Sequence, residues 1–506
     1  MRSSTFLASS VAAAILAFVT PSEATVGRGV PKDLYLKARA DGSYQDLYNR
    51  NGPSHNNRLI PRNSKQHAKN AANVKRQATQ TNALGLSFPT DEAGFAKVTD
   101  DRIACNYYYL PDVANIQNNY PTPWLNGATT GATLLSSDSE GQSVWKSISS
   151  GIPNIPVRSG AQGVLNFNGY NQQQDPDCWW SASQCHTPKQ SGIPQDVYNC
   201  PEPSTWGLTF DDGPNCTHNA FYDFLEKNNQ KATLYYIGSN VLDWPLQAQR
   251  GLADGHQICI HTWSHQLMTT LQSENVFAEL WYTAKIIKDI VGVAPRCWRP
   301  PYGDVDDRVR YIANAMGLAT HIWTDDTNDY DIAPLGPSPT AAISASYSAI
   351  IATGTASPNE GIIVLTHEIN GYTMALFESE YSNIIKNFKH VVPLTACLNE
   401  SNPYEPNSGI SYPGFNDYIA GKIQPSGIPS TFTIKDQAYN PISISAAAAS
   451  MSSTSASSGT KSTSKASTST TSTQKGSATS VSLGSAPAVL FGLAASTILG
   501  GAFLLF

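Results

Sequence analysis

The sequence predicts an α/β protein whose parallel sheet is closed, or nearly closed, into a β/α barrel, and three observations predict it. Short apolar runs alternate with amphipathic helices over roughly 200 residues from Thr205 onward, the pattern of strands joined by crossover helices. The chemically unusual residues lie just after the apolar runs, which in a barrel are the carboxyl ends of strands, where reactive side chains belong. Near the carboxyl terminus the composition changes to Ser, Thr and Ala, which cannot bury enough surface to fold, so the barrel is followed by a disordered stalk.

Trp206 to Phe210 reads as a strand. Thr217 is placed to cap a helix in which Phe221, Phe224 and Leu225 fall at i, i+3, i+4 spacing and share one face. Thr233 to Ile237 and Gln257 to Ile260 are the next strands. Ser273 begins a long helix with Val276, Leu280, Ala284, Ile287 and Val291 on one stripe, closed by Gly292, which suits the left-handed residue that ends a helix. Further strands are predicted at Thr320 to Trp323 and Ile362 to Leu365.

Lys+Arg 33 against Asp+Glu 39 leaves a net charge of −6, and charged residues are only 14% of the 506. No basic face is available to follow phosphates, which excludes nucleic acid as a partner. Residues 1–24 read as a secretory signal peptide, because Arg2 precedes the apolar run Phe6 to Val19 and Ser22-Glu23-Ala24 supplies small residues for cleavage. Residues 25–95 are polar, with Lys75-Arg76 as a dibasic site at which a propeptide ending at residue 76 could be cut. Residues 96–195 form an extension carrying cysteines and Trp124, Trp179 and Trp180, which are expected to pack on the barrel; residues 401–445 extend the body at its other end. The stalk occupies residues 446–480 and is expected to be O-glycosylated. Ala486 to Phe506 is predominantly apolar and uncharged and follows Gly476-Ser477-Ala478 and a short polar spacer. That arrangement is a glycolipid (GPI) anchor signal: residues 481–506 would be removed and lipid attached near Gly476.

Eight cysteines (Cys105, Cys178, Cys185, Cys200, Cys216, Cys259, Cys297, Cys397) in a secreted chain read as disulfides, with about 105 pairings open. No CxxC pair is present to hold zinc through sulfur. Asn215-Cys216-Thr217 and Asn399-Glu400-Ser401 are N-glycosylation sequons.

Within the body, His261-Thr262-Trp263-Ser264-His265 sets two imidazoles at i, i+4, which one helical turn would bring onto a single face at metal-ligand separation. A carboxylate from another strand end would complete a His-His-Asp set that leaves a coordination position for water, as a catalytic metal site requires. Thr209-Phe210-Asp211-Asp212-Gly213-Pro214 ends in ordinary turn chemistry, but two adjacent carboxylates at a strand end suit one cation ligand and one general base.

Five segments in order resemble the motifs of the polysaccharide deacetylase (NodB homology) family, carbohydrate esterase family 4: Thr209 to Pro214, His261 to His265, Arg299-Pro300-Pro301-Tyr302, Asp326-Thr327-Asn328-Asp329-Tyr330 and Leu365-Thr366-His367. The resemblance covers roughly residues 196–400 and implies a distorted (β/α) barrel. It implies Asp211 as catalytic base and Asp212, His261 and His265 as ligands of a divalent metal, usually Zn2+, for which Co2+ can substitute. Arg299 would hold the Asp211 carboxylate by a charge-assisted hydrogen bond. The backbone N–H of Tyr302 would stabilise the oxyanion. His367 would be the general acid and Asp329 its orienting partner, with Leu365 a wall of the acetyl pocket. Where the family often has Trp, Tyr330 stands here, which keeps an aromatic wall and alters substrate contacts.

The implied reaction is metal-dependent hydrolysis of N-acetyl groups on a sugar polymer. Combined with the secretory address, the stalk and the anchor, it resembles the fungal members of the family that convert chitin to chitosan and acetate at the cell wall and the outer face of the plasma membrane. An esterase acting on acetylated xylan and a non-catalytic glycan-binding wall mannoprotein are the alternatives. The latter should lack a metal ligand or the base, and neither is missing.

Overall fold

The computed structural model describes residues 110–122, 131–161, 164–331, 340–439 and 441, together with a short backbone ribbon pairing Thr25–Val26 with Val30–Pro31. The signal peptide, Lys75-Arg76, Cys105, Trp124, the stalk and Gly476 therefore lie outside the described residues.

The body is built on strands β1 (Asn199–Cys200), β2 (Thr205–Gly213), β3 (Thr233–Tyr236), β4 (Gln257–Ile260), β5 (Cys297–Trp298), β6 (Ala319–Thr320), β7 (Asp325–Asp326), β8 (Gly361–Leu365) and β9 (His390–Val392). They run in the order β6-β5-β4-β3-β2-β8-β7, every neighbour parallel, with β9 added beside β2. β6 and β7 are two halves of one stretch, 319–326. Its start pairs with β5 and its end with β8, so the sheet returns on itself as a barrel. Midway, Val197 is wedged in, donating its N–H to Thr320 and accepting that of Ile322, and β1 runs antiparallel to β8. This wedge is the distortion: the seventh strand is interrupted, and an incoming segment satisfies the backbone groups it leaves. The strand predicted at Thr320 to Trp323 is accordingly split.

β2 is buried at every position, as expected of a parallel strand covered on both faces. Around the barrel lie α1 (Pro111–Ile116), α2 (Ser139–Ile148), α3 (His218–Lys227), α4 (Gly238–Asp243), α5 (Pro245–Ala253), α6 (Ser273–Val291), α7 (Asp307–Ala315), α8 (Thr340–Ala356) and α9 (Gly371–Asn387). α6 has the predicted limits and ends at Gly292 in the left-handed conformation. α3 begins after Thr217, yet the Thr217 hydroxyl does not cap it; it donates to Asn215 Oδ1 at 2.6 Å.

Disulfides join Cys178 to Cys185, Cys200 to Cys397 and Cys259 to Cys297, and Cys216 is disulfide-bonded as well. Cys200–Cys397 closes 197 residues of chain, a loop long enough for about 5 kcal/mol of unfolded-state restriction. Trp179 is fully buried, its indole N–H donating to Asp304 at 2.8 Å, and Trp180 packs edge-on against Trp323. Trp179 and Trp180 of the extension are thus packing residues. Among the described residues no helix is long and apolar enough to cross a membrane.

The Asn215 sequon is corrected by burial. Its Nδ2, the atom a glycan would need, donates to the backbone carbonyls of Glu368 and Ile369 inside the fold. Asn215 is a structural tie between two strand ends. Asn399 is exposed, at the end of the Leu394–Cys397 helical turn.

Candidate active site

The site gathers at the carboxyl ends of β2, β4, β5, β7 and β8. In a regular strand, successive side chains point to opposite faces, so Asp211 and Asp212 could not share a site. The β2–β3 register shifts between Asp211 and Gly213, and Asp212 adopts φ 75°, a bulge that re-aims the second carboxylate.

Asp212 Oδ1 lies 3.3 Å from His261 Nε2 and 3.2 Å from His265 Nε2. The ligand atoms of these three residues all fall within 4.8 Å of one another. The histidines meet differently from the expectation: residues 261–265 form no helical turn but a loop in which Thr262 and His265 take φ of 64° and 56°. The short β4 ends at Ile260 and the chain reverses there, so left-handed residues, not helical periodicity, converge the rings. His261 Nδ1–H donates to the Arg299 carbonyl at 2.8 Å, which leaves the Nε2 lone pair facing Asp212. Asp212 Oδ1 has no hydrogen-bond donor although it is buried. An orphaned carboxylate oxygen between two Nε2 atoms is the donor set a divalent cation takes. A second cluster, Asp175, Cys178 and Cys185, is closed to metal because its sulfurs form a disulfide.

Asp211 stands beside this group, Oδ2 3.7 Å from His261 Nε2. Its Oδ1 accepts from Arg299 Nη1 at 2.8 Å, and the same nitrogen donates to Thr209 Oγ1 at 2.9 Å. The fully buried guanidinium lies 4.1 Å from the centre of the Tyr235 ring. Across the site, Asp329 Oδ1 takes the His367 Nδ1–H at 2.6 Å and Oδ2 takes the His367 backbone N–H at 2.8 Å. Burial alone would lower His367; the Asp329 carboxylate overrides it and pushes the imidazole up to about 10. Asp211 and His367 are bridged backbone to backbone, which fixes the spacing of the two groups.

Leu365, at the end of β8, is buried, and Tyr330 meets the His367 ring edge-on at 5.3 Å. Tyr302 is 45% exposed, with φ 58° and its ring 4.7 Å from that of His265. The next residue, Gly303, also has positive φ, and a Cβ there would lie 2.2 Å from the Trp180 ring. The extension thus braces the turn carrying Tyr302.

Sequence reasoning did not single out Tyr235, which stacks on Arg299, or the buried group behind the site: Glu368, His218 and Tyr222. Burial pushes Glu368 well above the carboxylate range and drives His218 down to about 3. Adjacency of Glu368 to His367 was the one available signal; nothing local marks Tyr235 or His218.

The family model described as polysaccharide deacetylase matches residues 198–321. The chain is 45% identical over 354 residues to chitin deacetylase 2 of Cryptococcus neoformans var. neoformans serotype D (strain B-3501A), covering 69% of this chain and 75% of that protein. It is 47% identical over 334 residues to the chitin deacetylase of Amylomyces rouxii, covering 64% and 77%. Among solved structures, it is similar to the chitin deacetylase from the fungal pathogen Colletotrichum lindemuthianum at 24% identity and TM-score 0.39, covering 42% of this chain and 95% of that one. Identity at this level over three quarters of a full-length relative, on a barrel with these motifs at its strand ends, means that the chain belongs to the polysaccharide deacetylase family.

Proposed function

We propose that this protein is a chitin deacetylase that hydrolyses the N-acetyl groups of chitin to give chitosan and acetate. The observation that carries the reading is that Asp211, bonded to Arg299, and the Asp329–His367 pair gather at the same strand ends as the Asp212, His261 and His265 cluster, in a chain whose relatives are named chitin deacetylases.

Bound by Asp212, His261 and His265, a divalent cation, in our reading Zn2+ with Co2+ as a substitute, supplies Lewis-acid polarisation and acidifies water. Asp211, steered by Arg299, accepts the proton of the attacking water. The Tyr302 backbone N–H meets the oxyanion, and Leu365 and Tyr330 wall the acetyl group and the sugar. His367 has Nδ1 tied to Asp329, which leaves Nε2 to deliver a proton to the departing amine. An amine leaves poorly without that proton.

The test is acetate release from a series of chitin oligomers with and without chelator. Release that stops on chelation and returns with Zn2+ supports the reading; faster release from acetylated xylan would favour the esterase, and none from either substrate the wall mannoprotein. We also propose secretion to the cell wall and attachment to the outer membrane face through lipid at Gly476. Exposed Asn399 is the sequon we assign a glycan. Phosphatidylinositol-specific phospholipase C should release the protein from membranes, and a mature surface protein that keeps Phe506 would contradict the anchor.

A further inference from the structure

The loop that carries His261 and His265 is held by a residue outside it. Thr262 and His265 are both left-handed without being glycine, a strained conformation that persists only where the surroundings over-determine it. Glu279, in the middle of α6, is fully buried. A buried helix position serving packing alone would be apolar, because taking a carboxylate out of water is costly unless it is hydrogen-bonded. Among the described residues, its carboxylate is hydrogen-bonded by the loop and the amino-terminal extension. Oε2 accepts the Ser264 N–H at 2.8 Å, and Oε1 accepts the Ser264 hydroxyl at 2.5 Å and the Ala132 N–H at 2.6 Å; the Trp263 backbone bonds to the carboxylate as well. Between the two histidines, the buried Trp263 ring lies flat against Tyr120, 5.4 Å between centroids and 5° between planes. Tyr120 is anchored through its hydroxyl, which donates to Asp289 of α6 at 2.5 Å. The loop is therefore gripped by its backbone on one side and by its central indole on the other.

We propose that Glu279 is a positioning residue of the metal site: it keeps the His261–His265 loop in the turn that aims both Nε2 atoms at Asp212, and the extension completes the brace at Ala132 and Tyr120. This rests on the reading that Asp212, His261 and His265 hold a divalent cation. Gln at position 279 keeps one acceptor oxygen but turns the other into an N–H donor, so in either orientation a backbone N–H of Ser264 or of Ala132 loses its acceptor and the brace is weakened while size is preserved.

The experiment measures Zn2+ dissociation constants by chelator competition on the purified, metal-stripped protein, with the visible spectrum of the Co2+-loaded protein as a second readout of ligand geometry. Wild type should take up one Zn2+ and Asp212→Ala should not; a wild type that binds none overturns the metal reading itself, and the inference with it. Glu279→Gln should bind Zn2+ about tenfold or more weakly and alter the Co2+ spectrum, the effect expected when support behind a metal ligand is removed. Asp196→Asn breaks the buried pair with Arg310 (2.7 Å) on other elements, and should lower thermal stability without moving the Zn2+ constant. If Asp196→Asn weakened Zn2+ as much as Glu279→Gln, the effect would be general loosening and the inference overturned. Wild-type affinity in folded Glu279→Gln overturns it alone. Should that variant fail to fold, Ser264→Ala decides: about threefold weaker binding supports the brace, and unchanged binding overturns it.

Discussion

Asp211 and His367 are joined through their backbones, but their side chains are tied to opposite charges, Asp211 to Arg299 and His367 to Asp329. In the proposed reaction an acid and a base serve one scissile bond and need different protonation states at one pH; the Asp329 carboxylate holds the proton on His367. Asp211→Asn should lower acetate release by about two to four orders of magnitude while leaving metal content unchanged, read by metal analysis of the same sample. His367→Ala should slow an amide more than an activated ester, whose leaving group departs unaided; equal losses would reassign the histidine. The Asp329–His367 pair also has a stability signature. The folded imidazole sits at about 10, above its unfolded value of 6.5, so its contribution is complete below about pH 6.5 and drains away as pH rises toward 10. Denaturant unfolding should therefore show wild type exceeding Asp329→Asn most at pH 6 and least near pH 10, and a pH-independent gap would contradict the pairing.

At the level of elements, the site is made by departures from regular structure: a bulge ending β2, a left-handed loop after β4 and a tight turn after β5. Each is supported from outside. Asp304, just past Tyr302, accepts hydrogen bonds from Trp179, Ser181 and Thr269, and the Trp180 backbone N–H donates to Val305. Trp180→Ala should cost about 3–5 kcal/mol by urea unfolding, as large-to-small core changes do. At temperatures where the variant stays folded, kcat should fall more than KM rises, because the Tyr302 turn loses the ring that confines it. A kcat equal to wild type would separate the turn from the chemistry.

Across the molecule, the flanking segments cover aromatic surface that the barrel and α6 would otherwise expose. Tyr120 covers Trp263, Trp145 covers Phe277 and Tyr439 covers Trp281. The carboxyl-terminal strap is fastened along α6 by Lys435 N–H to the Asp289 carbonyl, Gln437 N–H to the Asp289 carboxylate and Lys285 to Asp436. At about 25 cal/mol/Å2, uncovering even one face of three aromatics that bury roughly 150–250 Å2 each forfeits several kcal/mol, a large share of the ~5–15 kcal/mol of a typical fold. A chain trimmed to residues 196–400 should therefore fail to give soluble, cooperatively melting protein, whereas residues 110–441 should. A trimmed chain melting within a few degrees of the longer one would show the covers to be dispensable.

What the sequence by itself determined is what local rules govern. The bounds of α6, the strand Gln257–Ile260 and the alternation that makes a barrel follow from periodicity, a glycine stop and short apolar runs, each decided within a few residues. The residues that meet in the site were legible too, the two histidines and the paired carboxylates by their pattern and the rest through the resemblance of five ordered segments to the polysaccharide deacetylase motifs, but the manner of their meeting was not. A helical turn and a left-handed loop both bring residues four apart together, and only the chain reversal after β4 chooses between them. Burial alone turned the Asn215 sequon into a structural tie, and the partners of Cys200, Cys259 and Cys178 became definite only when the chain was closed. Glu279, Tyr120 and Tyr235 carry no local mark, since what they do depends on groups brought to them from tens to well over a hundred residues away. Such contacts form only after many local elements have packed at once, so the tertiary structure decided them.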